Sequence, residues 1–262
     1  MKTKSRNGFK LTVYLAIVFI LPLLQIAIGI SSEESPVGFI VFGIIAASPT
    51  IAAVITTLMS REFKTALLGL FQKNHLIRAI VLPILITCLT MVLSKLLFCV
   101  LSNVDFSLNV ITGIQFVMIG WSLIAEEIGW RGFLEPLLKK MGVAEIIAPG
   151  IVGIVWSLWH YYLFLMGRID VPLVWFFIGC IVESYIYSFL MNTTGNNIAS
   201  AMIYHFMWNL MLHICAINPS DNSGNPWAYI ILILLEIPVA IILYEAIKNR
   251  KMERKGNTII KK

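Results

Sequence analysis

Long apolar stretches recur along the chain, separated by short polar breaks. Windows of the length that spans a bilayer, about 20 residues each, lie at 11–30, 37–59, 79–101, 110–125, 146–166, 173–191, 198–217 and 227–246. This pattern predicts an all-α membrane protein, a polytopic bundle of about eight transmembrane helices. The fourth window is the weakest, because it runs directly into charge. Pro22, Pro49, Pro83, Pro149 and Pro238 lie in or near these windows, where neighbouring helices can satisfy the carbonyls that a kink frees. Between the second and third windows, 61–78 mixes bases with Phe63, Leu67, Leu70 and Phe71 at helical intervals. That spacing predicts a short helix lying on the inner leaflet.

Composition strengthens the membrane reading. Of the 262 residues 58% are hydrophobic and 13% charged, and the mean hydropathy is +0.85; soluble domains carry about 25% charged residues. The net charge of +6 does not point to nucleic acid, because the bases are partitioned by membrane side. They crowd residues 1–10, 61–78, the pair Lys139 and Lys140, and the tail from Lys248. The alternate loops carry Glu33, Glu34, Asp105, Asp170 and Asp221, with Arg168 their only base. Both termini are therefore expected in the cytoplasm. The first window has the basic lead of a secretory signal, yet it exceeds the roughly 7 to 15 apolar residues of one and lacks an A-x-A site; a retained helix is expected. No linker or repeat divides residues 1–262, so one membrane domain is the simplest account. Cys88, Cys99, Cys180 and Cys215 fall in apolar windows without C-x-x-C spacing and read as small hydrophobes.

Polar side chains inside spans are costly and so informative: Lys95, Glu126, Glu127, His160, Glu183, His205, Asn209, His213 and Glu236. The stretch W-S-L-I-A-E-E-I-G-W-R-G-F-L-E-P at 121–136 holds the densest group. Glu127 and Arg131 are four apart, acid first, and form a neutral pair on one helix face. Glu126 is left about 100° round the helix as a candidate general base. Trp156 and His160 are four apart, and so are His205 and Asn209. His213 alone reads as a helix-to-helix hydrogen bonder.

Convergence of these groups would allow two related chemistries. A carboxylate and an imidazole can activate water while a second imidazole and an amide hold an oxyanion. Alternatively Glu126, His160 and His205 are a ligand set for catalytic zinc. Either describes peptide hydrolysis by activated water. H-E-x-x-H, G-x-S-G and G-x-G-D are absent, and all three Asp residues, Asp105, Asp170 and Asp221, fall in loops, which excludes an intramembrane aspartate dyad.

At these residues the sequence resembles the CPBP family, the CAAX-protease and bacteriocin-processing (Abi) family, which includes Rce1-type prenyl-protein endopeptidases. Its motifs E-E-x-x-x-R, F-x-x-x-H and H-x-x-x-N/D stand in order as Glu126, Glu127 and Arg131; Trp156 and His160; and His205 and Asn209. The run Y-S-F-L-M-N-T-T-G-N-N-I-A-S-A at 187–201 is similar to the family's lead into its third motif. Trp156 in place of Phe is the one departure. The resemblance covers 110–212 and implies a catalytic core there. It further implies that Glu126 and His160 activate water, that His205 and Asn209 hold the oxyanion, and that Glu127 and Arg131 fix the helix, the two Glu roles being exchangeable. It leaves open a zinc ion or a metal-free Glu/His mechanism.

The expected protein is an intramembrane endopeptidase in a prokaryotic plasma membrane, opening to the cytoplasm. Its partners would be membrane lipids and a peptide or membrane-associated protein substrate, prenylated in eukaryotic relatives and linked to bacteriocin processing or self-immunity in prokaryotic ones. The alternatives are a non-proteolytic immunity or scaffold protein using the same cavity, or a proton-coupled transporter, for which Glu183 and Glu236 are the pointers.

Overall fold

The computed structural model describes residues 2–28, 36–72 and 75–260. Glu33, Glu34, Lys261 and Lys262 lie outside the described residues. Among those described, the structure is helical with no strand. In chain order the α-helices are α1 Lys2–Ile28, α2 Pro36–Ala46, α3 Ser48–Met59, α4 Phe63–Leu67, α5 Leu76–Ser102, α6 Gly113–Ala125, α7 Glu127–Gly129 and α8 Glu135–Lys140. They continue as α9 Ile147–Trp159, α10 Tyr161–Leu165, α11 Leu173–Thr193, α12 Ile198–Ile214 and α13 Trp227–Ile260. The chain is a multi-pass α-helical membrane protein.

Six segments among the described residues are long and apolar enough to cross a membrane: Ser5–Ala27, Leu76–Ser102, Ile147–Leu165, Leu173–Thr193, Ile198–Asn222 and Trp227–Lys248. A seventh arises if α2 and α3 count as one span bent by 60°. The bend falls where Pro49 enters the first turn of α3, a position that tolerates a missing N–H. The fourth apolar window behaves differently from its sequence reading. Residues 110–112 are not helical, because Thr112 and Gln115 form a capping box that starts α6 at Gly113. The resulting 13-residue helix is about 20 Å long, short of the bilayer core of about 30 Å, and helical turns resume beyond Glu126. The predicted surface helix is shorter than 61–78: α4 has 5 residues, followed by a 3₁₀ turn at Leu68–Leu70.

Hydrogen bonds between loops define two ends of the bundle. At one end Arg6 and Lys10 of α1 meet Glu62 beyond α3, at 2.8 and 2.6 Å. Asn197, which caps α12, donates to Gln72 O at 2.7 Å. At the other end Ser220 N donates to Asp170 at 2.6 Å and Asn109 donates to Asp221 at 3.0 Å. The loops bearing Asp105, Asp170 and Asp221 thus gather opposite the basic end. Buried Lys95 belongs to that acidic end too, donating to Ala216 O at 3.3 Å and Asn222 at 3.4 Å.

Two small residues set helix contacts near the site. Gly153 of α9 rides on α11, where an added Cβ would lie 2.6 Å from Ile181 Cα. Gly129 rides on α3, where a Cβ would lie 2.4 Å from the Pro49 carbonyl carbon. The outward faces remain apolar, as lipid requires: Leu89, Val100 and Ile242 are all exposed. The four cysteines are free thiols, Cys88 half-buried and the others buried.

Candidate active site

The site is assembled where α6 breaks. Glu126 leaves helical geometry at φ −120° and ψ −45°, and Thr50 donates to the Ile124 carbonyl at 2.8 Å. The chain then resumes as α7 and widens into a π-helical turn at Trp130–Leu134, a deformation that often accompanies functional sites. The break aims the two adjacent carboxylates into different surroundings.

Glu127 is fully buried. Its Oε1 accepts from Arg131 at 3.1 Å, as the spacing predicted, and also from His205 Nδ1 at 2.7 Å. Arg131 donates onward to Ser184 Oγ of α11 at 2.9 Å. Its guanidinium stacks on Tyr187 at 3.8 Å and on Trp156 at 4.6 Å. The pair is therefore tied to α11 and α12 as well as to its own helix.

Glu126 has partners that local spacing did not assign to it. Its Oε2 accepts indole N–H bonds from Trp156 at 2.8 Å and Trp130 at 3.2 Å. Its Oε1 faces His205 Nε2 at 3.9 Å. Trp130 stands four residues after Glu126, so this contact was available from sequence. Trp156 Nε1 was hidden by treating Trp as a stand-in for Phe, which has no N–H.

The histidine tautomers follow from their neighbours. A carbonyl only accepts, so His160 Nδ1, 2.8 Å from Trp156 O, carries the proton and leaves Nε2 basic when neutral. Glu127, as a carboxylate, likewise places a proton on His205 Nδ1. His205 Nε2 can then donate only when that ring is doubly protonated. Asn209 Nδ2 reaches Ser122 Oγ at 3.4 Å, a loose bond that a better acceptor can displace.

Glu126, His160, His205 and Asn209 all line one cavity of about 610 Å³, together with Ser122, Trp156 and Trp208. Glu127 and Arg131 do not line it; they stand behind His205. His213 and Glu183 do line it. Glu236, fully buried, lies outside it and accepts from Trp208 Nε1 at 3.1 Å. The cavity runs toward the acidic end, through Arg168, Asp170, Asn218 and Ser220. The cytoplasmic opening expected from sequence corresponds to the basic end, and none of the described residues of that end borders it.

Glu126, His160 and His205 have the donor chemistry of a zinc site. As arranged, however, no three His, Cys, Asp or Glu side chains among the described residues stand close enough to hold an ion.

Fold and site define a multi-pass helical membrane protein with a buried Glu/His centre on a broken helix. A family model described as type II CAAX prenyl endopeptidase Rce1-like matches residues 109–211, the stretch that holds every one of these side chains. That match covers less than half of the chain and falls on the residues that carry the resemblance to the CPBP family. The chain is similar to CAAX prenyl protease 2 of Methanococcus maripaludis, 28% identical over 130 residues, which are 46% of this chain and 45% of that protein. It is also similar to lysostaphin resistance protein A of Staphylococcus haemolyticus, 28% identical over 174 residues, 61% of this chain and 46% of that one. The chain therefore aligns with somewhat less than half the length of these relatives. Their prokaryotic sources fit a plasma-membrane location.

Proposed function

We propose that the protein is an intramembrane endopeptidase that hydrolyses a peptide bond of a membrane-associated protein or peptide with water activated by Glu126 and His160. The observation that carries this is the convergence of Glu126, His160, His205 and Asn209, four polar groups from three elements, on one cavity. Glu126 Oε1 takes a proton from water as the water oxygen bonds to the scissile carbonyl carbon. His160 Nε2 accepts the second hydrogen bond of that water. The carbonyl oxygen becomes an oxyanion, met by Asn209 Nδ2 and by His205 Nε2 in its doubly protonated form. Collapse breaks the C–N bond, and the proton held by Glu126 goes to the departing amine. Glu127 and Arg131 are positioning residues: Glu127 fixes the His205 ring, and Arg131 fixes Glu127.

A zinc ion, if bound, would supply Lewis acidity and a water of lowered pKa, with Glu126, His160 and His205 as its holders. The steps above do not require it. A prenylated substrate is one form of the reading, drawn from the name of the archaeal relative; peptide processing or self-immunity is another. The topology we assign is eight crossings with both termini cytoplasmic, supported by the alternation of loops between the two ends.

Glu126→Gln is the test. The amide keeps the shape and the indole contacts but cannot take the proton. Comparing new protein N-termini in membranes of cells carrying the parent chain and the Glu126→Gln chain should reveal cleavages lost in the variant. A proton-coupled transporter, which buried Glu183 and Glu236 would suit, or an immunity scaffold predicts identical N-termini in the two.

A further inference from the structure

Glu183 of α11 is a carboxylate that the chemistry assigned above does not use. It borders the same cavity as Glu126 and His160 and is 3% exposed, yet no hydrogen bond or ion pair joins it to another of the described residues. The nearby Arg131 guanidinium is bonded to Glu127 and Ser184 instead. The charged group that acts most strongly on Glu183 is Glu236 of α13, itself fully buried and bonded to Trp208 Nε1 at 3.1 Å. Two acids therefore stand together with no basic side chain bonded to either. Phe176, Trp208 and Tyr229 line the cavity with Glu183. Gly179, one turn before Glu183 on α11, makes room for Tyr229: an added Cβ would lie 2.9 Å from its hydroxyl. That hydroxyl, on a buried residue, likewise bonds to none of the described residues.

An unpaired buried carboxylate is costly, and a cation that enters beside it offsets the cost. The surroundings decide which cation. Hard metal ions want six or more oxygen ligands, and no three His, Cys, Asp or Glu side chains among the described residues stand close enough to hold one. A guanidinium or ammonium needs only one carboxylate for a charge-assisted hydrogen bond, and aromatic faces attract it further. We infer that this arm of the cavity is a specificity subsite for a lysine or arginine side chain of the polypeptide substrate, with Glu183 accepting its N–H bonds beside the rings of Phe176, Trp208 and Tyr229. That the bound chain is a substrate rests on the endopeptidase reading; the preference for a basic side chain does not. The cavity of about 610 Å³ lies within the range of ligand-holding clefts, about 300 to 1,000 Å³.

Arginine and citrulline differ by one charge at nearly constant shape, which gives the test. The full chain carrying Glu126→Gln, expected to hold peptide uncut, is purified in detergent and titrated with two pools of short random peptides, identical except that arginine in one is citrulline in the other. Thermal stabilisation gives the half-saturating concentration. The arginine pool should need about tenfold less, the worth of one charge-assisted hydrogen bond. Adding Glu183→Gln should bring the two pools together, with monodispersity showing that the doubly substituted chain has folded. Equal half-saturation by the two pools, no stabilisation by either, or a preference that outlasts Glu183→Gln overturns the inference. The first two outcomes need no change at Glu183 and so decide even if that variant does not fold. Products formed from the pools by the parent chain separate the subsite from the proposed activity. Preferential binding with no cleavage leaves the subsite and removes the endopeptidase reading, whereas cleavage with no preference for arginine does the reverse.

Discussion

The indole N–H of Trp156 donates to Glu126 Oε2 at 2.8 Å, across a sequence separation of 30 residues. Through its carbonyl the same residue holds His160 Nδ1 at 2.8 Å, and its ring lies edge-on to both His160 and His205. One side chain thus orients Glu126, the base we propose, and frames both imidazoles. Trp156→Phe keeps the aromatic frame and removes only the donor. Losing a hydrogen bond to a charged acceptor costs about 1.5 kcal/mol or more of stability, so the melting temperature should fall by a few degrees, roughly, and turnover should fall as the Glu126 carboxylate loses its orientation. Undiminished kcat on an identified substrate would remove this role from the indole.

Arg131 is buried among Glu127, Ser184, Tyr187 and Trp156. Arg131→Ala strands the Glu127 carboxylate, and breaking a buried pair in this way costs about 3 to 5 kcal/mol. Arg131→Lys should recover only part of that, because an ammonium lacks the fork that reaches Glu127 and Ser184 together and the plane that stacks on Tyr187. Thermal unfolding of the purified variants in one detergent gives the order parent, Lys, Ala. An Ala variant as stable as the parent would contradict the ion pair's role.

The local half of this network was legible in the sequence, and the crossing half was not. Glu127 with Arg131 and Trp156 with His160 are one helical turn apart, and a period of 3.6 puts them together wherever the helix goes. Glu127 with His205, 78 positions apart, and Arg131 with Ser184, 53 apart, depend on how α7, α11 and α12 pack. Spacing therefore suggested His205 as a partner for Asn209, while the packed structure gives its Nδ1 to Glu127. The span at 37–59 looked continuous because apolar composition is blind to a 60° bend. The direction in which the cavity opens was likewise not legible, since it follows from which loops close over it.

Gly129 shows how close α3 must come for this arrangement. An added Cβ would lie within 2.6 Å of Pro49 atoms, including its backbone carbonyl, which cannot yield as a flexible side chain would. Gly129→Ala should destabilise by at least the 1 to 3 kcal/mol typical of overpacking, roughly, and displace the turn bearing Glu127. Gly120→Ala is the control: nothing lies within 4 Å of its Cβ position, so the helix should gain up to about 1 kcal/mol. Equal melting temperatures for the two variants would refute the close approach.

At the basic end, Glu62 is held below the usual carboxylate range, chiefly by its hydrogen bond from Lys10, with Arg6 adding to the effect. A depressed folded-state pKa stabilises the fold above the unfolded value, about 4.3 for Glu, and that contribution is lost as pH falls through the folded value. The Glu62 side chain is 33% exposed, so solvent screening keeps the gain within about 1 kcal/mol. Glu62→Gln should lower the melting temperature slightly at pH 7 and make no difference at a pH well below both values. A gap between parent and variant that persists at low pH would show that something other than this charge pair is at work.

The last expectation separates the oxyanion donor from the base and the metal from both. Asn209 Nδ2 is engaged by nothing stronger than Ser122 Oγ at 3.4 Å, so it is free to turn onto a developing oxyanion. Loss of one such donor typically costs about 100- to 1,000-fold in kcat, so Asn209→Ala should retain measurable turnover where Glu126→Gln retains none. Activity should also be indifferent to a chelator, because the steps assigned to Glu126 and His160 need only their own oxygen and nitrogen atoms. Activity lost to the chelator and restored by zinc would instead put His160 and His205 on a metal, requiring their side chains to close on one another beyond the arrangement seen here.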